Sequence, residues 1–391
     1  MSLFNTTSEI TITCHKRVAP YLTREVSELG YKITETFITG VRMQGSLTDC
    51  IRLNLNLRCA SQVLFKLDDF IARNGDDVYE HLKHTPWEDY IPKDTYFSVT
   101  SNVFNDSINN SMYANLRVKD AIVDRLRDIH GQRPETGAEL RGVVVHLFWK
   151  NNDASLFLDT SGDSLGRHGY RKIPGRAPML ESLAAATILA STWDRTSSFV
   201  NPMCGSGTLA IEAALLAKNA APGLFRSNYA FMHLKGFEQR LYDRARTELE
   251  TQMKITGGIK IIASDYSKGA IENAERNAIA AGVYDMISFQ VCDFADTEIP
   301  QDHKGVVFIN PEYGERLGDL KELEETYARM GDFFKKQCKG YNGYIFTGNM
   351  DLAKKVGLKA KRRIEFYNSK IDCRLLEYDI YEGTKKIKEE A

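Results

Sequence analysis

From residue 197 onward the sequence keeps returning to one pattern: a short β-branched or aromatic run, a turn containing Gly, Asp, Asn or Pro, then helical periodicity. SSFVNPMCGSGTLAIEAALLAK, IKIIASDYSKGAIENAERNAIAAG, ISFQVCD and GVVFINPEYGERLG follow one another in this way, the last leading into a further helix. Strands that alternate with helices must cross over, so this stretch predicts an α/β fold with a doubly wound, mostly parallel sheet, Rossmann-like in form. GYNGYIFTGN, the helical DLAKKVG and CRLLEYDIYEG supply the last strands of the same sheet.

The first part of the chain has a different grain. ITITCH reads as a strand, VAPYLTREVSELG as a helix ended by Gly30, and YKITETFITG as a strand followed by RLNLNLR, together a βαβ pattern. TYFSVTSNVF predicts another strand. SMYANLRVKDAIVDRLRDIHG predicts a helix with Leu116, Ala121, Ile122 and Leu126 on one face. VVVHLFW and ASLFLDTSG form a hairpin across Asn151-Asn152-Asp153, and this α+β region ends near residue 160. The text from Asp159 to Pro178, DTSGDSLGRHGYRKIPGRAP, is a connecting loop and the most locally basic one in the chain.

At 391 residues, 43% hydrophobic and 26% charged, the chain is long enough for two or three globular domains, which excludes a disordered or collagen-like polypeptide. Lys and Arg number 51 against 52 Asp and Glu, so any nucleic-acid contact needs a local basic surface. The Cys residues (Cys14, Cys50, Cys59, Cys204, Cys292, Cys338 and Cys373) show neither C-x-x-C pairs nor zinc spacing. They fit a reducing cytoplasm without a structural metal. The N-terminus lacks a signal-peptide pattern, and MLESLAAATILAS is too short to span a bilayer, so a cytoplasmic location without membrane contact is expected.

Three strand ends carry the first chemistry. Gly205 and Gly207 open the helix LAIEAALLAK in a turn whose backbone N–H groups can face a ligand. IKIIASD ends in Asp265 and ISFQVCD in Asp293, on the edge where open α/β sheets bind ligands. Asp265 is suited to ribose hydroxyls and Asp293 to an adenine amine, in S-adenosylmethionine or in a dinucleotide; helix capping is the structural alternative for both. The fourth strand ends in Asn310-Pro311-Glu312-Tyr313. Asn310 Oδ1 and the Pro311 carbonyl can accept both hydrogens of an exocyclic amine while Tyr313 stacks on its base, so positioning and electrostatics carry the transfer.

Asn201 to Thr208, Asn310 to Leu317 and the loop SGDSLGRHGYR together resemble the bacterial THUMP-domain RNA guanine-N2 methyltransferases, closest to the L half of the 23S ribosomal RNA enzyme. NSMYANLRVKDAIVD and ESLAAA extend the similarity to nearly the whole chain. The resemblance implies a ferredoxin-like segment over residues 1–60, a THUMP RNA-binding domain over 61–160, a basic linker over 161–178 and a class I methyltransferase domain over 179–391. It implies S-adenosylmethionine as cofactor, with Asn201, Pro202, Cys204, Gly205, Ser206, Gly207 and Thr208 at its methionine part. Asp265 would then hold the ribose, Asp293 and Phe294 the adenine, and Asn310, Pro311 and Tyr313 the target guanine. Departures from the family pattern are Asn201 in place of Asp, Glu312 in place of a second Pro, and a single methyltransferase domain. Glu312 is expected to turn to solvent or to Arg316.

RNA is the implied partner, either 23S ribosomal RNA or transfer RNA. The candidate phosphate contacts are Arg117, Lys119, Arg167, Arg171 and Arg176, with Tyr170 stacking on a base. An adenine-N6 methyltransferase and a non-catalytic, RNA-binding ribosome assembly factor are the alternatives. A cysteine nucleophile is disfavoured, because Cys204 falls in the glycine turn rather than at the target base.

Overall fold

The computed structural model describes residues 3–105, 108, 110–173, 178–254, 257–301, 304–313 and 320–381. They form two compact units. Unit 1 contains the chain up to His15, Leu22–Gly166 and Pro222–Thr251; unit 2 contains Lys16–Tyr21, Arg167–Ala221 and the chain from Gln252.

Through residue 159 the elements are β1 (Thr7–Thr13), α1 (Ala19–Glu28), β2 (Ile33–Phe37), β3 (Gly40–Ser46), α2 (Leu47–Asn56), β4 (Gln62–Ile71), α3 (Gly75–Lys83), β5 (Phe97–Phe104), α4 (Ser111–His130), β6 (Val143–Lys150) and β7 (Asp153–Asp159). The strands make one sheet in the order β2-β3-β1-β4-β7-β6-β5. Only β5 and β6 pair in parallel, as the crossover through α4 requires. β6 and β7 form the expected hairpin, with Asn151 at φ 54° in its turn.

Two readings of this region are corrected. RLNLNLR, grouped with the strands, lies mostly in α2. Leu53, Leu55 and Leu57 alternate like a strand, but Ser46 and Asp49 form a reciprocal capping box that starts a helix, and Leu47, Cys50, Ile51 and Asn54 supply its buried three-four spacing. In α4 the buried stripe is Ala114, Val118, Ala121, Ile122 and Leu126, whereas Leu116 is 48% exposed.

Beyond residue 160 come α5 (Glu181–Ala190), β8 (Phe199–Pro202), α6 (Thr208–Lys218), α7 (Gln239–Thr251), β9 (Ile261–Asp265), α8 (Lys268–Ala280), β10 (Ile287–Val291), β11 (Val306–Ile309), α9 (Leu320–Gln337), β12 (Asn342–Thr347), α10 (Met350–Lys355), β13 (Arg362–Asn368) and β14 (Ile371–Asp379). Unit 2 holds a second sheet, β10-β9-β8-β11-β12-β14-β13. The first five strands in that order are parallel; β14 runs antiparallel to β12 and β13 antiparallel to β14. This is the doubly wound, mostly parallel sheet that the sequence predicts. Its switch point lies where β8 has β9 on one side and β11 on the other. Val307, Ile309, Tyr327, Phe334, Ile345 and Leu376 belong to the core on one face.

The segment Pro222–Thr251 departs from the sequence reading, which left it in the methyltransferase domain. It groups with unit 1, where α7 packs on α2 and the Phe237 ring lies 6.0 Å from that of Phe4. Gly223 permits this approach, since a Cβ there would sit 2.5 Å from the Leu55 Cα. No helix among the described residues is long and apolar enough to cross a membrane.

Candidate functional site

β8 delivers the chain into a tight turn. Met203, Gly205 and Gly207 take φ values of 57°, 56° and 83°, a left-handed path that favours glycine. Cys204 N–H donates to the Ser264 carbonyl (2.9 Å) and Gly207 N–H to the Cys204 carbonyl (2.9 Å), which fixes the turn against β9. Gly207 is also a close approach, because a Cβ there would stand 2.9 Å from the Ala274 Cβ. α6 starts at Thr208, so its free N–H groups face the same edge.

Asn201 is fully buried and joins the two central strands, its Nδ2 donating to the Phe308 carbonyl at 2.8 Å. A carboxylate could not make that bond and would set an anion against a carbonyl oxygen, which gives Asn at this position a physical reason. Pro202 and Ser206 are buried beside it, and Cys204 is buried with its thiol pushed up by desolvation, first, and then by Asp265. This is no activated thiolate.

Asp265 is 8% exposed. Its Oδ2 accepts from Gly205 N–H and its Oδ1 from Ser267 N–H, both at 3.0 Å, so the carboxylate shapes the turn while retaining lone pairs. Asp293 caps the short turn Phe294–Asp296: its Oδ1 accepts from Ala295 N–H at 2.9 Å and from Arg329 Nη2 at 2.7 Å. Partial burial pushes its pKa up, but those two donors hold it below the usual carboxylate value. Phe294 is 4% exposed, meets Phe333 edge-on at 6.0 Å and carries the Arg329 guanidinium 4.8 Å above its ring. A cavity of about 180 Å³ is lined by Met203, Asp265, Tyr266, Asp293, Phe294, Thr326 and Arg329.

That cavity brings together Asp265, Asp293 and Phe294 from the sequence reading. Tyr266, Thr326 and Arg329 were missed. Tyr266, 79% exposed, follows Asp265 directly, and that adjacency was a signal the sequence offered; Thr326 and Arg329 sit on α9 with no local motif.

The Asn310 to Tyr313 segment leaves β11 at the same edge. Asn310 Oδ1 is buried without a hydrogen-bond partner among the described residues. Pro311 is buried and Glu312 is exposed; Arg316 lies outside the described residues. Tyr327 Oη donates to the Glu312 carbonyl (3.3 Å) and bonds Thr347 Oγ1 (2.8 Å). Tyr313 Oη accepts from Asn368 Nδ2 at 2.7 Å, and Gly348 leaves room for its ring.

The expected RNA contacts divide. Tyr170 is corrected: it is 1% exposed, and burial, followed by Glu212 and Glu181, drives its phenol far up, so it stacks on no base. Arg171 is corrected as well. Its Nη2 donates to the Met179 carbonyl (2.6 Å) and Thr208 Oγ1 (2.9 Å) and lies 3.5 Å from Glu181, with 13% of the side chain exposed. Arg117 is engaged by Asp76 (2.6 Å) and by the Tyr79 ring (4.6 Å), and Lys119 lies 3.9 Å from Asp120. Arg167 is exposed, and Arg176 lies outside the described residues.

Comparison with known proteins places this geometry. The UPF0020 model, described as an RMKL-like methyltransferase domain, matches residues 168–377; an RlmL ferredoxin-like domain matches 9–64 and a THUMP domain 72–159. The chain is 37% identical over 382 residues to the ribosomal RNA large subunit methyltransferase K/L of Syntrophotalea carbinolica, covering 95% of this chain and 53% of that protein. It therefore spans about half the length of its K/L relatives. It is 32% identical to slr0064 of Synechocystis sp., provisionally named an RNA methyltransferase, over 92% of this chain and 93% of the relative. Among solved structures, SMU.472, provisionally described as a methyltransferase and complexed with SAH, superposes with a TM-score of 0.86 at 28% identity, over 97% and 99% of the two chains. A Listeria monocytogenes protein described as a predicted N6-adenine-specific DNA methylase does so with a TM-score of 0.84 at 31% identity, over 97% of each. With a matching domain over more than half of its length and a relative aligned nearly end to end, the chain belongs to the RMKL-like methyltransferase-domain family.

Proposed function

We propose that this chain transfers a methyl group from S-adenosylmethionine to the exocyclic N2 amine of a guanosine in RNA, most simply 23S ribosomal RNA. The observation that carries the reading is the Oδ1 of Asn310 at the end of β11, buried without a hydrogen-bond partner among the described residues. A buried acceptor left without a donor costs roughly 1–3 kcal/mol, a cost that an amine N–H of the substrate would offset. The names of the K/L relatives and the THUMP match support RNA as the substrate class.

The residues fit the cofactor. Asp293 keeps Oδ2 clear of the two bonds that end on Oδ1, and it remains ionised because Arg329 and Ala295 N–H hold it so; it accepts the adenine amine. Phe294 walls the adenine, Asp265 accepts from the ribose hydroxyls with its remaining lone pairs, and the backbone of Gly205 to Thr208 lines the methionine part. When bound, S-adenosylmethionine supplies an electrophilic sulfonium methyl. Asn310 Oδ1 and the Pro311 carbonyl accept the two amine hydrogens and direct the nitrogen lone pair toward that methyl, while Tyr313, fixed through its hydroxyl, holds the base plane. The S–CH3 bond breaks as the N–CH3 bond forms, and the surplus amine proton leaves to water.

The test supplies labelled cofactor with undermethylated large-subunit RNA, transfer RNA and duplex DNA in parallel and identifies the modified nucleoside by mass spectrometry. N2-methylguanosine in an RNA pool is the expected product. N6-methyladenine in DNA or RNA would transfer the reading to the activity in the Listeria relative's description, and cofactor binding without product in any pool would favour an assembly factor.

A further inference from the structure

β14 runs antiparallel to β12 with Thr347 opposite Arg374, so the β13–β14 hairpin tip reaches the edge where β8 and β11 end. The hairpin closes at Asn368 opposite Ile371, with Ser369 at φ 56° and Lys370 exposed at the tip. Asn368 Nδ2 ties this tip to Tyr313 Oη. One residue back, Tyr367 carries a cation: Lys16 Nζ lies 4.4 Å from its ring centroid and 3.4 Å from its hydroxyl, and the Arg17 guanidinium lies 5.3 Å from the ring. Lys16–Tyr21 belongs to unit 2, and Tyr21 stacks on Phe366 at 5.6 Å.

The charges here are unevenly spent. Glu365 pairs with Arg17 and Arg374, and Asp372 pairs with Arg374. Lys16 and Lys370 are exposed and form no salt bridge among the described residues. Arg17 is held at φ 70°, a conformation uncommon for a residue with a side chain, in the segment that sets Lys16 over Tyr367. Lys16, held over the Tyr367 ring with Asp372 near enough to feel its charge, and Lys370, exposed at the tip, thus lie at the same hairpin end that Asn368 ties to Tyr313. A nucleotide seated at Tyr313 brings its phosphodiesters with it, and this is the charge they meet.

We propose that Lys16, Tyr367 and Lys370 form a backbone-binding surface that holds the RNA strand flanking the target nucleotide. The inference rests on the RNA reading above. It is tested with the full chain carrying Lys16→Glu and Lys370→Glu, against a charge-matched control, Lys336→Glu with Lys339→Glu, two exposed residues before β12 at the opposite edge of the sheet. Titrations of RNA across a salt series and methyl-transfer kinetics are run on all three proteins. Loss of two single-strand phosphate contacts reduces the slope of log affinity against log salt by about 1.4 and, with charge reversal, raises the RNA KM about tenfold or more. Affinity for S-adenosylhomocysteine and kcat at saturating RNA stay at parent values. A KM and salt slope equal to those of the control overturn the surface. If the parent itself methylates no RNA, the proposed reaction fails, and the surface is then decided by the binding slope alone.

Discussion

Asn310→Ala separates function from stability in opposite directions. In most buried Asn→Ala changes a partner is orphaned and the fold loses one or two hydrogen bonds. Here Oδ1 has no partner among the described residues, so its removal relieves the cost of a buried unsatisfied acceptor, roughly 1–3 kcal/mol, against a smaller loss of packing. Thermal stability should hold or rise; about 1 kcal/mol corresponds to roughly 2–4 °C in a unit of this size. Catalysis should fall, since deleting one preorganised polar contact to the reacting group costs about 3 kcal/mol, or roughly 150-fold in kcat. Calorimetric titration with S-adenosylhomocysteine, thermal unfolding and single-turnover methyl transfer on one RNA substrate measure all three. Turnover near the parent value would refute the amine-gripping role. Parallel loss of stability and cofactor affinity would refute it too, by showing that Asn310 merely supports the strand end.

Gly207→Ala combines a φ of 83° with a Cβ 2.9 Å from the Ala274 Cβ. It should cost about 1–2 kcal/mol from the left-handed backbone alone and weaken S-adenosylhomocysteine binding at least about tenfold; unchanged affinity in calorimetry would show that the turn does not cradle the cofactor. In unit 1, burial first raises Asp159 to about 6, opposed by donors from Ser161, Gly162 and Gln62 and by Arg226. A folded value above the ordinary 3.8 means stability fully present at pH below 3.8 and lost as pH rises through about 6. Asp159→Asn should flatten the unfolding free energy over that window, and an unaltered pH profile would reject the assignment.

The sheet of unit 2 was readable because each strand end carries its own turn chemistry: the glycines after β8, Asp265 after β9, Asp293 after β10 and Asn310 after β11 occur in chain order, and parallel topology places them on one edge. Residues that reach the edge from elsewhere left no such trace. Arg329 and Thr326 lie in α9, an amphipathic helix whose solvent face looks like any other until folding sets it against Asp293 and Phe294. Asn368 and Lys16 are 55 and 297 residues from Tyr313 along the chain, and only antiparallel β14 and the grouping of Lys16–Tyr21 with unit 2 bring them to one region. Local periodicity failed where it was ambiguous, as in α2, where a capping box overrode the alternating leucines.

The basic linker shows why local composition is a poor guide to which face a charge serves. Its Arg167, Tyr170, Arg171 and Arg176 read as a hand for RNA, yet Tyr170 is enclosed beside a buried pair in which His168 Nδ1 meets Glu212 at 2.8 Å with both side chains fully buried. Arg171 reaches Thr208, the first residue of α6. Asn277 completes the arrangement from α8: its Oδ1 accepts from Lys172 and Ile173 N–H at 3.0 and 3.1 Å, and its Nδ2 donates to the Ile173 and Ser206 carbonyls at 3.0 and 3.2 Å. A side-chain amide with two donors and two acceptor lone pairs has no further capacity, so Asn277 ties linker to turn with every valence used. Buried charges survive only when paired and hydrogen-bonded. The chain meets that condition at Arg171 and His168, whose charges are taken up beneath the glycine turn, whereas Arg167 and Lys172 of the same linker stay exposed, as do Lys16 over Tyr367 and Lys370 at the hairpin tip.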